Sequence, residues 1–456
     1  MDKRLDAYFD GVDPNSTVES PTPWRPIHYL GSKLRILEPI RIAIDRLSDG
    51  SESTCDLFAG SGTVAAFLGV SRNVIASDIQ EYSRVLCSAA LLPGELSREI
   101  QHGRFSASFS NDFATRVEWI KPLIEYEDHA LFEAKQGRPD AICDLIEHAS
   151  LITENWISSP MGRSAQIQAV GNLGGMTPRP GTIMIRHFGG LYFSYRQAAY
   201  LDALLVTAHS SPSPLKETLL AIAASTASDV VNTVGKQFAQ PIQPRDASGK
   251  PKRHLISKIV KDRELDVAET TMKWVHRYQS LRQTNYKHEI IRGDYQDTLA
   301  AIKGRVGVVY ADPPYTREHY SRFYHVLETM CLGDEPKLST TTIRSDTPKV
   351  SRGVYRSERH QSPFCIRSKA PQAFDKLFGG VKEAGARLVL SYSPFKETGA
   401  VHPRVMTMDQ LTSIAESHFT NVEVTSAGRL SHSKLNATHH NLEAAEEAEL
   451  LISCWD

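Results

Sequence analysis

Residues 54–78 read TCDLFAGSGTVAAFLGVSRNVIASD, and this stretch decides the fold. A short apolar run (54–58) enters a glycine-rich turn, TVAAFLGV is helical in character, and NVIASD is a second strand. Glycine at 60 and 62 admits turns barred to a β-carbon and lets the backbone approach a ligand closely. Strand, glycine turn, helix and strand together make a compact βαβ unit. Asp78, which ends the second strand, stands 22 positions after Asp56. A doubly wound sheet presents a carboxylate to ribose hydroxyls at that place. The segment GSGTVA also fits the loose dinucleotide pattern GxGxxA, so this stretch alone leaves open a nicotinamide enzyme, or a turn with only a structural role.

The α/β pattern extends outward from this unit in both directions. Upstream, Leu34, Leu37, Ile40, Ile44 and Leu47 recur every three or four residues, which predicts an amphipathic helix over 33–47, capped by Ser32 and bent near Pro39. Residues 1–24, polar with three prolines, read as a flexible tail. Downstream of about residue 290 come the strand EIIRGDY, the helix QDTLAAIK, the strand VGVVYADPPY, an aromatic helix HYSRFYHVLETM, and the strands ARLVLSYS and ELLISCW. The interval between differs in character. It mixes helical stretches (141–151, 196–208, 215–228, 265–281) with Gly/Pro-rich segments such as MGRSAQIQAVGNLGGMTPRPG and PIQPRDASGKPKRH. One α/β domain, 25–90 and 286–456, is thus interrupted by an insert at 91–285.

Composition narrows the function classes. Over 456 residues, 41% are hydrophobic and 23% charged, and 52 Lys+Arg nearly balance 53 Asp+Glu. The chain as a whole therefore advertises no polyanion partner, and a nucleic-acid surface must come from local clustering. Two regions supply it: 151–290, with 17 Lys+Arg against 10 Asp+Glu, and 341–370, with seven against two. Most such runs are only a solvated face. Six cysteines lack CxxC or Cys/His spacing, which argues against a disulfide framework or a zinc site; no metal is expected. No apolar run is long enough to span a membrane, and the polar start is unlike a signal peptide. A cytoplasmic protein is expected.

Asp312-Pro313-Pro314-Tyr315 carries the most chemistry. It follows the apolar strand VGVVYA, at the carboxyl end where open α/β sheets place their sites. Two prolines fix the backbone and withhold two N–H donors, leaving carbonyls for a cleft. A carboxylate and such a carbonyl can both accept from one amino group, while an aromatic ring beside them stacks on the ring that bears it. The constellation suits a planar substrate with an exocyclic amine.

The ordered set YLGSK (29–33), DLFAGSG (56–62), SDI (77–79), GDYQ (293–296), ADPPY (311–315) and LSYS (390–393) resembles the Dam-like, alpha-group DNA adenine-N6 methyltransferases. YFSYRQAAYLDAL (192–204), VVNTVGKQF (230–238) and TREHYSRFYHVLET are similar to the subgroup with a long target-recognition region. The resemblance covers roughly 28–395. It implies a Rossmann-like S-adenosylmethionine-dependent methyltransferase sheet with a large, mainly helical inserted target-recognition domain. The activity implied is methyl transfer to N6 of a flipped-out adenine in double-stranded DNA, within a restriction–modification or phage-defence system.

Residue by residue, the resemblance implies that Phe58, Gly60 and Gly62 wrap S-adenosylmethionine, with Asp56 near its methionine end. Asp78 would accept from the ribose, Ile79 lie against the adenine, Tyr29 and Lys33 line the pocket, and Asp294 and Tyr295 sit by the cofactor's adenine. Asp312, Pro313, Pro314 and Tyr315 would hold the target base, with Tyr320 and Tyr324 as further stacking candidates. Phosphate contacts are expected from Lys250, Lys252 and Arg253, and from Arg352, Arg356 and Arg359. A cytosine-N4 methyltransferase uses the same geometry and stands as the alternative. An RNA or protein amide methyltransferase, with Asn normally at the place of Asp312, and a non-catalytic DNA-binding protein follow. The sequence has no Pro-Cys dipeptide, unlike cytosine-C5 enzymes, which need a cysteine nucleophile there.

Overall fold

A computed structural model describes residues 24–101, 105–148, 150–153, 155–175, 177–281, 283–316, 320–341, 349–393, 405–427 and 449–456. Among these, one large sheet contains β1 (Ser53–Asp56), β2 (Val74–Asp78), β3 (His288–Arg292), β4 (Val306–Ala311), β5 (Arg387–Tyr392), β6 (Asn421–Ser426) and β7 (Leu450–Trp455), in the order β3-β2-β1-β4-β5-β7-β6. The first five strands pair in parallel. Strand β7 runs antiparallel to both β5 and β6. The chain steps outward from β1 through β2 to β3 and then resumes on the other side of β1 at β4. That reversal puts the topological switch between the carboxyl ends of β1 and β4.

Strand pleating explains why these segments form a buried sheet. Val308 and Tyr310 of β4, Val74 and Ala76 of β2 and Val389 of β5 point to one face, where they pack on Ile40, Ile44, Val64 and Leu68. The alternate residues Val309, Ala311, Ile75, Leu388 and Leu390 point to the other, against Leu299, Phe374 and Phe378. With both faces covered, strands read as continuous apolar runs, as VGVVYA does.

The βαβ unit forms as read, with α2 at Thr63–Gly69. The upstream helix, α1, covers Leu37–Leu47 and not 33–47. Residues 33–36 form a turn closed by Ile36 N–H on the Lys33 carbonyl (2.9 Å). Ser32 therefore does not cap the helix; its hydroxyl is buried without a hydrogen-bond partner among the described residues. Pro39 falls in the first turn, where no intrahelical donor is lost, so it leaves the helix unbroken. The aromatic helix after DPPY is split into Tyr320–Phe323 and His325–Leu332. Tyr324, at φ −126° between them, is instead engaged with the N-terminal motif described below. Helices Ala370–Glu383 and Met408–His418 and strand β6 complete the α/β part without having been read from the sequence.

A second core is helical. Its centre is Leu215–Val230, buried on nearly every face between Tyr195–His209, Val267–Gln279 and α3 (Glu81–Leu91). Ser194 closes a capping box with Gln197 on Tyr195–His209, which fixes where that helix begins. Helices here that are additional to those read from the sequence include Ala107–Trp119, Lys121–Lys135, Pro160–Asn172 and Arg253–Arg263. Pro160–Asn172 begins one residue before the segment read as Gly/Pro-rich and runs into it. Its proline is the first helical residue, and Ser159 accepts from Gly162 N–H (3.1 Å), so both residues start the helix rather than break it. Trp24, the last residue assigned to the tail, is buried here and packs edge-on against Tyr278 (4.8 Å between centroids); residues 1–23 lie outside the described residues. The six cysteines are buried free thiols. Among the described residues no helix is long and apolar enough to cross a membrane.

Candidate active site

The loop after β1 is tied to both neighbouring strands. Leu57 N–H donates to the Tyr310 carbonyl of β4 and Ala59 N–H to the Ser77 carbonyl of β2, each at 3.0 Å. Gly60 (φ +54°) and Gly62 (φ +74°) take the left-handed conformations this path requires. Gly60 N–H then donates to Asp78 Oδ2 (3.0 Å) and Gln80 N–H to Asp78 Oδ1 (2.9 Å). Burial raises the Asp78 pKa, although these amides pull it down. Asp56, wholly enclosed at the end of β1, is pushed up to about 8, chiefly by burial and then by the nearby Asp312 and Asp78 carboxylates. Its Oδ2 has no donor among the described residues.

The N-terminal motif is brought to this loop by aromatic contacts. Tyr29 stacks on Tyr324 (5.0 Å, 15° between planes), and Leu30 N–H donates to the Tyr324 hydroxyl (2.7 Å). Lys33 is thereby carried under the end of β4. Its Nζ lies 2.9 Å from Asp312 Oδ2 and 3.0 Å from Glu449 Oε1. Burial disfavours that charge, but the Asp312 and Glu449 carboxylates outweigh it and hold the ammonium well above the usual lysine pKa. Glu449 Oε1 also accepts from Ser391 Oγ (2.7 Å) and from the Tyr315 hydroxyl (3.3 Å).

One cavity collects these groups. Asp312, Pro313, Pro314 and Tyr315 line it together with Tyr29, Lys33, Phe58, Asp78 and Ile79, and with Asp294 and Tyr295 from the turn after β3. Asp56, Gly60 and Gly62 stand behind that lining. Asp294 caps the helix Tyr295–Ala301 through Gln296 N–H (3.0 Å). Phe58 and Tyr295 form an aromatic wall with Phe364, whose centroid is 5.5 and 5.1 Å from theirs. Tyr320 reaches the cavity, whereas Tyr324 is buried behind it. The Cys365 thiol donates to the Pro314 carbonyl (3.4 Å). Such a cavity offers carboxylate acceptors around one ammonium, and flat apolar surfaces for rings.

Residues 29–117 and 267–371 match the family model of the D12 class N6 adenine-specific DNA methyltransferases. The interval between the two matched segments falls in the helical body. The chain is also similar to the modification methylase LlaI of Lactococcus lactis subsp. lactis, 23% identical over 389 residues that are 85% of this chain and 48% of that protein. It is similar as well to the type II methyltransferase M.FokI of Planomicrobium okeanokoites, 22% identical over 401 residues, 86% of this chain and 47% of that protein. The chain thus spans about half the length of these two curated relatives.

The basic residues expected on phosphates are dispersed. Lys250 and Arg253 are exposed, while Lys252 Nζ is held by the Gln243 carbonyl (3.2 Å). Arg352 donates to the Ile242 carbonyl (2.7 Å). Arg356 is buried and bidentate on Asp334 (2.6 Å for each bond). Arg359 and Arg322 each lie over the Tyr355 ring at 5.0 Å. Three site features escaped the sequence reading: Glu449, the role of Ser391, and the wall segment ending in Phe364 and Cys365. Only LSYS carried any signal for them, through Ser391.

Proposed function

We propose that the chain methylates adenine N6 in double-stranded DNA, with S-adenosylmethionine as donor, as the modification activity of a restriction–modification system. The observation that supports this most directly is the convergence of Asp312-Pro313-Pro314-Tyr315 and the Phe58/Asp78/Asp294/Tyr295 set on one cavity at the switch point. The similarity to modification methylases and to the adenine-specific family points the same way.

The lining suits the cofactor. Asp78, Asp294 and Asp312 outnumber Lys33 around the cavity, Asp56 Oδ2 lies beneath without a donor, and residue 60 lacks the Cβ that would collide with Tyr29. Asp78 would accept from ribose hydroxyls, Phe58, Ile79 and Tyr295 flank the base, and Asp56 face the methionine end. Bound there, S-adenosylmethionine supplies an electrophilic methyl group.

The target adenine must leave the stack, at a cost of a few kcal/mol, and the Tyr315 face would offset part of it at about 1–3 kcal/mol per stacked base. Asp312 and the Pro313 carbonyl would accept the two N6 hydrogens, which turns the nitrogen lone pair toward the methyl carbon. S-adenosylmethionine held by these residues would supply the methyl group and keep the sulfur lone pair, and Asp312 would take the proton that N6 gives up and pass it to water. Positioning and preorganised charge supply the acceleration. We assign DNA target recognition to the helical body between residues 91 and 285, with Lys250 and Arg253 on phosphates; Arg356, committed to Asp334, is left out of that footprint.

Nucleoside mass spectrometry on unmethylated plasmid incubated with the protein and S-adenosylmethionine tests the reading. N6-methyldeoxyadenosine from wild type and none from Asp312→Ala is the expected result. N4-methyldeoxycytidine would keep the geometry and overturn the base, and no methylated nucleoside would overturn the function.

A further inference from the structure

The Lys33 ammonium sits between two carboxylates at nearly equal distance, 2.9 Å from Asp312 and 3.0 Å from Glu449. This raises a chemical conflict at the proposed reaction centre. Asp312 Oδ2 is engaged by a cation, and a neutral aromatic amine is a far weaker partner for a carboxylate than an ammonium is. Asp312 can take the amine only if the ammonium has another anion within reach. Glu449 is that anion. It is more deeply buried than Asp312, with a side chain 5% exposed against 20%, and its Oε1 is fixed by Ser391 Oγ and the Tyr315 hydroxyl.

We propose that Glu449 is a positioning residue for methyl transfer: it holds the Lys33 ammonium when the target amine arrives, so that Asp312 changes from ion-pair partner to amine acceptor. The proposal rests on the function given above. No covalent step is added; a hydrogen-bonded contact passes from one carboxylate to another. The same Glu449 oxygen holds the phenol of Tyr315, so the ring that would stack on the base and the charge that releases Asp312 share one anchor. Glu449 enters from the start of β7, a strand antiparallel to β5, which is why no motif near Asp312 in sequence announces it.

A purely structural Glu449 would be a buried hydrogen-bond hub and nothing more, and Glu449→Gln separates the two roles. Glutamine keeps the size and can still accept from Ser391 and Tyr315, but it cannot draw an ammonium from Asp312. Among the described residues the ionisable groups around Lys33 Nζ include Asp312, Glu449, and the phenols of Tyr315, Tyr310 and Tyr320. Without the Glu449 charge the lysine pKa falls, and a deprotonated Lys33 no longer competes for Asp312. We therefore expect the single-turnover rate of Glu449→Gln, on unmethylated phage DNA with S-adenosylmethionine, to drop at least tenfold near pH 7 while DNA Kd changes less than about twofold. The deficit relative to wild type should shrink as pH rises, and adding Lys33→Met should make Glu449→Gln faster, not slower.

A Gln variant as fast as wild type, or one whose rate, DNA affinity and melting temperature fall together with an unchanged pH profile, overturns the proposal. If Glu449→Gln does not fold, Glu449→Asp, which withdraws the charge by one methylene, is expected to lose rate without losing DNA affinity; an unaltered rate overturns the proposal equally. A wild-type protein that forms no N6-methyladenine would sink the functional reading itself, and this proposal with it. An active wild type with an indifferent Glu449 sinks only the latter.

Discussion

Gly60 lies against the edge of Tyr29: a Cβ at residue 60 would stand 2.6 Å from the Tyr29 hydroxyl and 2.7 Å from Cζ. Two motifs far apart in sequence, YLGSK and DLFAGSG, thus meet at one missing methyl group. Gly31 has a similarly positive φ (+73°) but open space around its Cβ position. Gly31→Ala is expected to cost only the left-handed strain, about 1–2 kcal/mol, whereas Gly60→Ala adds the collision and displaces Tyr29 from Tyr324. Thermal melts should show the larger loss for Gly60→Ala, and calorimetric titration with S-adenosylmethionine a loss of affinity beyond tenfold. Equal losses from both variants would mean the contact is unimportant.

Asp56 predicts a pH signature. Its pKa lies near 8 in the folded protein, raised by burial and by Asp312 and Asp78, against about 4 in an unfolded chain. A carboxyl raised on folding stabilises at low pH, and that contribution is lost as pH climbs from about 4 to about 8, at up to ~1.4 kcal/mol per unit. Asp56→Asn keeps the shape of the protonated acid and removes the titration. In cofactor-free protein the variant should gain stability over wild type between pH 5 and 8 and hold the advantage above it. A pH-independent difference in melting temperature would contradict this.

The helical body contains a buried ion pair with a testable asymmetry. Arg263, fully buried, bonds Glu127, and it also donates to the Gly190 carbonyl (2.6 Å) and Asn232 Oδ1 (3.3 Å). Arg263→Met strands the Glu127 charge and should cost about 3–5 kcal/mol. The double variant Arg263→Met/Glu127→Leu removes the stranded charge and is expected to recover part of that loss in urea unfolding. A double variant as unstable as the sum of the singles would contradict the assignment.

DNA affinity should sort the basic residues by their present engagements. Lys250→Ala and Arg253→Ala are each expected to flatten the slope of log K against log salt by about 0.9 for every phosphate the side chain neutralises. Arg356→Ala should instead lower stability and leave the slope alone, because its guanidinium is already paired with Asp334. An unchanged slope removes a residue from the footprint.

Much of the site was legible because its residues punctuate strands. Asp56, Asp78 and Asp312 end or follow β1, β2 and β4, where continuous apolar runs stop and a parallel sheet opens. Glu449 was invisible for the opposite reason. It precedes its strand, and only the antiparallel direction of β7 brings that end to the same edge. Lys33 was assigned to the cavity wall from its motif, yet its pairing with Asp312 and Glu449 is a tertiary fact with no local trace. Leu34 continues the apolar periodicity through the turn at 33–36, so the pattern does not mark where α1 starts. The helix beginning at Pro160 is hidden because the glycines and prolines of 161–181 look like breakers, while the start signal, Ser159 and Pro160, lies just outside that segment.

The position of β7 between β5 and β6 has a consequence in time. Lys33 leaves the ribosome early and Glu449 last among the groups of the network, and synthesis at about 5–20 residues per second separates them by tens of seconds. Until Asp312 is made the lysine lacks both counter-charges, and from there until Glu449 it lacks the second, while the sheet lacks the strand that joins β5 to β6. The nascent chain can form its βαβ unit and its helical body well before it can form a working centre, so the proposed activity would switch on only once the strand at 450–455 has been made and has inserted.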